Sequence, residues 1–220
     1  MSIDQLWATP VATYHQPLPL EVAQQLVALI VRRDAQKDKA QGGGTAFKQY
    51  VDSGRFYHSI HYNLFDLPET TPEHDALRVF EQHACRAIRQ YLRDGFAAHD
   101  AQTVELSARC FGHVHTPGAK TFPHYHQASD LVLVHYLRLG GNNAGEPLSL
   151  IMQDPRGAPN YPWWGKMHTI NPVEGMTVCH PSFLWHETNE WHGAGNRVLI
   201  AANFKVIGHG HEKQFKTTNF

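Results

Sequence analysis

The chain has 220 residues and a formal net charge of -1, from 19 Lys and Arg against 20 Asp and Glu. That length suits one domain, or one domain with a helical extension, and the charge balance points neither to nucleic acid nor to an anionic membrane as partner. Residues 1–10 carry no basic start followed by an apolar run, and nowhere do eighteen apolar residues stand together, so a cytoplasmic protein with no membrane span is expected. Cys85, Cys110 and Cys179 are an odd, scattered set with no Cys-x-x-Cys spacing, which fits packing residues rather than a disulfide framework or a zinc knuckle.

In chain order, residues 6–11 read as a short β element interrupted by Pro10, suited to a sheet edge. From Leu20 to Ile30 apolar residues recur at helical spacing (Val22, Ala23, Leu26, Leu29), and the charged stretch that follows ends at Gly42, Gly43 and Gly44, a stop signal. A polar, aromatic stretch occupies 47–65, where Arg55, Tyr57, His58, His61 and Tyr62 read as a solvated loop with a lesser claim to substrate recognition. Thr71-Pro72-Glu73 then opens a second helix with apolar positions at Leu77, Phe80, Ala84, Ile88, Tyr91 and Leu92. From Val104 onward short β-branched and aromatic runs alternate with Gly, Pro and Asn clusters, at 105–111, 131–139, 148–152, 176–179 and 197–206. The expectation is a mainly β sandwich or barrel over a single domain, 1–220, with two N-terminal helices packed outside it. Tyr161-Pro162-Trp163-Trp164 lies between two core strands and reads first as packing.

Histidine is the unusual count, 17 residues, and the question is which of them are spaced to act together. In Phe122-Pro123-His124-Tyr125-His126 an extended chain points residues i and i+2 to one face, which suits two ligands on one ion. His186, after the strand at 176–179, is the candidate third ligand from a different element, and the set leaves positions open on an octahedral ion. His113-Val114-His115 has the same spacing and stands as a rival pair, although it precedes a Thr116-Pro117-Gly118 turn with no apolar strand after it. Asp130 and Asp154 are alternative sources of a carboxylate ligand, ranked below His126. Arg197 opens an apolar strand directly after a turn, where its planar fork suits a carboxylate, against the plainer reading of an arginine paired with an acidic neighbour.

The order His-x-His, apolar strand, Asp154-Pro155-Arg156, Asn171-Pro172-Val173-Glu174-Gly175, Pro181-Ser182 to His186, then Arg197 before an apolar strand resembles the Fe(II)/2-oxoglutarate-dependent oxygenases of the bacterial H-x-H type, within the 2OG-Fe(II) oxygenase superfamily. The resemblance covers nearly the whole chain. It implies a double-stranded β-helix (jelly roll, cupin-like), Fe(II) at His124, His126 and His186, and 2-oxoglutarate with its carboxylate held by Arg197. It also implies a dioxygenase that hydroxylates a small-molecule or amino-acid-like substrate, with dioxygen as co-substrate and succinate and carbon dioxide as products. Where the wider superfamily carries His-x-Asp or His-x-Glu this chain has His126, so three neutral imidazoles leave the Fe(II) charge uncompensated until the dianionic co-substrate binds. Related enzymes often place a hydroxyl two residues after the arginine. Leu199 stands there instead, and Tyr136 or Asn203 is the expected helper.

Three other readings remain open at the level of sequence. One is a three-histidine iron dioxygenase that does without 2-oxoglutarate, another a cupin-like binding module with no enzymatic activity, and the third a zinc hydrolase, which leaves Arg197 without a task. Oligomeric state, a homodimer included, and substrate identity are not written in the sequence.

Overall fold

A computed structural model describes residues 8–36, 63–98, 100–141, 149–155 and 167–207 of the chain. Ten elements follow in order: β1 (Ala12–His15), α1 (Leu20–Gln36), α2 (His74–Phe96), β2 (Glu105–His115), β3 (Leu131–Arg138), β4 (Leu150–Gln153), β5 (Met167–Ile170), β6 (Met176–Pro181), β7 (His186–Thr188) and β8 (Arg197–Ile207). The strands form two antiparallel sheets, a five-stranded one in the order β1-β6-β3-β8-β2 and a three-stranded one in the order β5-β4-β7. This is the expected double-stranded β-helix, or jelly roll, with two helices outside it.

The period of two along the central strands creates two separate cores. On β3, Leu131, Leu133 and Leu137 point to the helices, while Val132, Val134 and Tyr136 point between the sheets. On β8, Val198, Ile200, Ala202 and Phe204 join the helical core, and Leu199 and Ala201 the inner one. The amphipathic faces of α1 (Leu26, Leu29, Ile30) and α2 (Leu77, Phe80, Ala84, Ile88) are buried against the outer side of the large sheet. Each fully buried Leu or Ile there contributes roughly 1.5–3 kcal/mol. Arg32 of α1 reaches Glu73, the residue capping α2, with two bonds of 2.6 and 2.7 Å, so the helices are tied at their ends as well as through the core. Among the described residues no helix is long and apolar enough to cross a membrane.

The N-terminal strand begins at Ala12, just past the expected element, because it needs the stretch after Pro10 to pair with β6 from Ala12↔Cys179 to His15↔Met176. It is an edge strand, as its proline suggested. The glycine stop after α1, the aromatic cluster Arg55 to Tyr62, Arg156, and Tyr161-Pro162-Trp163-Trp164 lie outside the described residues.

Candidate metal centre and inner cavity

The turn after β6 and the segment before β3 run side by side. His124 and His186 form an antiparallel bridge, His124 N–H donating to His186 O at 3.0 Å and His186 N–H to His124 O at 2.9 Å. The N–H of His126 donates to Ser182 O at 2.9 Å, and that of Thr188 to Thr121 O at 3.0 Å. Backbone pairing thus extends the small sheet by one more extended segment and brings His124 and His186, far apart in sequence, into direct contact.

On this frame the ring nitrogens of His124, His126 and His186 fall within 4.8 Å of one another. Nδ1 of His124 lies 2.8 Å from Phe122 O and Nδ1 of His186 lies 2.9 Å from Leu184 O, so each Nδ1 carries the proton and donates it to a backbone carbonyl. That fixes the tautomer and leaves Nε2 with its lone pair, the arrangement that metal-binding histidines use. Nε2 of His126 and Nε2 of His186 face each other at 3.3 Å, close to the edge, about 3 Å, of an octahedron with metal–nitrogen bonds of about 2.1 Å. Burial lowers the pKa of His124, partly offset by its backbone bonds, and holds that of His186 well below the ordinary histidine value. Both rings are therefore neutral, ligand-competent bases at neutral pH. Among the described residues no carboxylate joins this cluster. Asp130 is turned away, its carboxylate accepting the Val206 N–H at 2.8 Å, and Asp154 follows β4 outside the group.

The cavity between the sheets continues from these histidines past Tyr136 and Leu199 to Arg197. Arg197 is fully buried, and among the described residues none of its three side-chain nitrogens has a hydrogen-bond partner. Desolvation lowers its pKa to about 10, which still leaves it charged, while the adjacent Tyr136 favours the charged form without a formed hydrogen bond. The guanidinium carbon lies 5.0 Å from the centre of the Tyr136 ring. A buried guanidinium without partners costs several kcal/mol, and an incoming carboxylate repays that cost. The donors around this cavity thus suit a divalent ion at one end and a carboxylate at the other.

Residues 109–203 match the family model described as "Putative 2OG-Fe(II) oxygenase". That segment of the chain is similar to the 2OG-Fe(II) oxygenase family. The matched segment runs from β2 into β8 and contains every histidine of the cluster together with Arg197. This oxygenase is similar in structure to a prolyl-4-hydroxylase of Pseudomonas putida, at 20% identity over 92% of this chain and 91% of that one, with a TM-score of 0.55. AviO1 from Streptomyces viridochromogenes Tue57 gives 12% identity over 91% of each chain and a TM-score of 0.57. HygX from Streptomyces hygroscopicus, solved with nickel and 2-oxoglutarate bound, gives 13% identity over 91% of this chain and 84% of that one, with a TM-score of 0.52. At these identities the likeness is one of fold. No curated protein matches the chain. Fe(II) and 2-oxoglutarate, the two groups in the description of the matched family, both fit the donors described above. Dioxygen and an organic substrate complete the reaction.

Of the expected site residues, His124, His126, His186, Arg197 and Tyr136 share this cavity. Asn203 does not. It lies on the same face of β8 as Arg197 but six residues away, about 20 Å along the strand, and lines an outer cleft on the other side of the histidines. The rival pair His113 and His115 sits inside β2 with rings stacked 6.3 Å apart and is not part of the metal cluster. His115 is opposite Arg197 across the β2–β8 ladder and lies 2.8 Å from Thr121 Oγ1. Thr188 Oγ1 in turn accepts the Thr121 N–H at 2.9 Å. His113, Thr121 and Thr188 line the cavity, a role the sequence reading missed, and His115 is held to it through Thr121. His180 packs beside His186, fully buried with its ring 4.7 Å away, and its Nε2 has no partner among the described residues. Alternation along β2 from Phe111 was the signal for His113, whereas nothing local marks Thr121 or Thr188.

Proposed function

We propose that this oxygenase holds Fe(II) on Nε2 of His124, His126 and His186 and anchors the distal carboxylate of 2-oxoglutarate on Arg197, with Tyr136 flanking it. The iron and its co-substrate supply the oxidising power for C–H hydroxylation when bound. The chain supplies position and dryness. Neutral imidazoles locked by Phe122 O and Leu184 O present their lone pairs to one point. Val134, Leu150, Leu199 and Ala201 wall the space between that point and Arg197, which excludes water from the reacting centre. The observation that carries the reading is the partnerless guanidinium of Arg197, buried in the cavity that the three histidines enter.

The substrate is read as a small molecule or amino-acid-like compound and the outcome as hydroxylation, with residues 1–220 acting as one unit. Three cysteines without disulfides, Cys110 and Cys179 buried, suit the reducing cytoplasm.

Anaerobic titration of the metal-free protein with Fe(II) and 2-oxoglutarate tests the assignment through the weak visible charge-transfer band of the chelate. A band that His126→Ala abolishes and Arg197→Ala weakens supports it. Tight iron binding without a band would replace it with a dioxygenase that does not use 2-oxoglutarate.

A further inference from the structure

β2 and β8 pair in register along their whole length, so their inward rows can be followed from the bottom of the barrel to its mouth. Arg197 lies opposite His115 at the closed end, Phe111 lies opposite Ala201 at the level of the metal cluster, and beyond them Arg109 lies opposite Asn203 and Ser107 opposite Lys205. Phe111 fixes the level, because its ring stacks on His126 at 6.3 Å and 18°. Arg109 is two residues further out, about 7 Å, and Lys205 is four residues beyond Ala201, about 13 Å.

At this outer end is a cleft of about 460 Å3, the size of a small-molecule site. His124 and His126 form part of its wall, so it opens onto the metal cluster. Its other lining groups are Arg109, Lys205, neutral hydrogen-bonding side chains and Tyr125, with no acidic residue among them. Arg109 and Lys205 are exposed, diagonal neighbours across the β2–β8 ladder, a placement in which like charges repel. Neither has an ion-pair partner among the described residues. Glu105, the next residue outward on that face of β2, lies opposite Ile207 and makes no ion pair with Lys205. Asp130 is engaged by the backbone of Val206. Asn203 adds a buried Oδ1 without a partner, an acceptor for a substrate N–H or O–H.

We infer that Arg109 and Lys205 bind an oxyanion of the substrate, a carboxylate or a phosphate monoester, and that Asn203 beside them accepts a hydrogen bond from the same molecule. The inference rests on the functional reading above and names its substrate class: an anionic small molecule whose charged group sits at the cleft mouth and whose reacting carbon lies on the order of 7 Å deeper, over the histidines. The barrel then carries two anion sites at opposite ends, Arg197 for the co-substrate and the Arg109–Lys205 pair for the substrate. The fork of Arg109 fixes orientation, and the ammonium of Lys205 adds charge with little directional demand.

Calorimetric binding to the Mn(II)-loaded enzyme with 2-oxoglutarate tests this with matched pairs: N-acetyl amino acids against their amides, and O-phosphoserine against serine. At least one anion should bind about tenfold tighter than its neutral counterpart, with the carboxylate and phosphate arms telling the two oxyanions apart. Arg109→Gln and Lys205→Gln should each weaken that anion about tenfold, leave the neutral compound unchanged and leave the affinity for 2-oxoglutarate unchanged, while Arg109→Lys should keep part of the preference. No anion preference in any pair, or a preference that survives both glutamine changes, would overturn the inference with the functional reading intact. Failure of 2-oxoglutarate itself to bind would instead overturn that reading, and the same pairs titrated into the metal-free protein would still decide the cleft.

Discussion

Arg197 is the residue where function and stability pull apart. Its guanidinium is charged, fully buried and without a hydrogen-bond partner among the described residues, so it destabilises the ligand-free protein. Arg197→Met should leave the thermal midpoint of the metal-free protein equal to or above that of the wild type, because a hydrophobic residue of similar volume removes the desolvation cost. The same change should weaken 2-oxoglutarate on the order of 100-fold, the loss of two charge-assisted hydrogen bonds. Scanning calorimetry and a binding titration on the same two proteins check both halves, and a variant that is less stable and binds normally would assign Arg197 to structure. The arginine was legible in the sequence because a basic residue opening an apolar strand after a turn is rarely a packing choice. Asn203, named beside Tyr136 as a helper for it, faces the same side of β8 but lines the outer cleft: a period of two gives the face of a strand but not the depth along it. Tyr136 was distinguished from Asn203 only by the β3–β8 register, in which Tyr136 lies opposite Leu199.

At the scale of elements, α1 docks on β2 through a contact that admits no side chain at Gly112. A Cβ placed there would come 2.5 Å from Cγ1 and 2.6 Å from Cγ2 of Ile30, itself buried in the helical core. Gly112→Ala should cost about 1–3 kcal/mol in urea unfolding, the usual penalty for overpacking. The cost should shrink in an Ile30→Ala background, because the two sites share one space; an equal cost in both backgrounds would place the strain elsewhere. The two helices and β2, β3, β4, β6 and β8 were readable from periodicity and from β-branched runs between turn residues. β5 and β7 were not. They have 4 and 3 residues, and Met167, His168 and Thr169 of β5 are exposed, so neither carries an apolar pattern of its own. Both are strands because β4 pairs with each. β2 extends to His115, beyond the run seen in the sequence, for the same kind of reason: β8 supplies an eleven-residue partner from Ile207 to Arg197. Long-range pairing set these bounds, and only the structure displays it.

For the molecule as a whole, a polar knot joins α2 to the large sheet. His83 Nε2 lies 3.2 Å and His135 Nδ1 2.8 Å from Thr177 Oγ1, all three residues buried on the side opposite the metal cluster. Burial lowers His83 to about 4, with Arg86 adding to the effect, and lowers His135 to about 3, with His83 adding to it. The unfolded chain protonates both near the ordinary value of about 6.5, so below that pH it binds protons that the folded state refuses. The contribution of the pair is thus complete above about pH 6.5 and is lost as pH falls toward 4 and then 3. Urea unfolding at pH 7 and pH 5 should show a drop in the midpoint that is smaller in His135→Phe, and an unchanged drop would mean that other groups set the acid limit. Thr177→Val should cost about 1–3 kcal/mol at pH 7 by leaving two ring nitrogens without their partner, with the Fe(II) chelate band unchanged because the knot and the cluster lie on opposite faces of the sheet.

One barrel brings three histidines and a buried arginine to opposite ends of the cavity proposed for a single bound co-substrate. A crystal structure of the enzyme grown anaerobically with Fe(II) and 2-oxoglutarate, with the iron located by anomalous scattering, tests it directly. Iron should lie on Nε2 of His124, His126 and His186, with the distal carboxylate of 2-oxoglutarate paired with Arg197. Iron held through an aspartate or through His113 and His115, or a co-substrate bound away from Arg197, would contradict it.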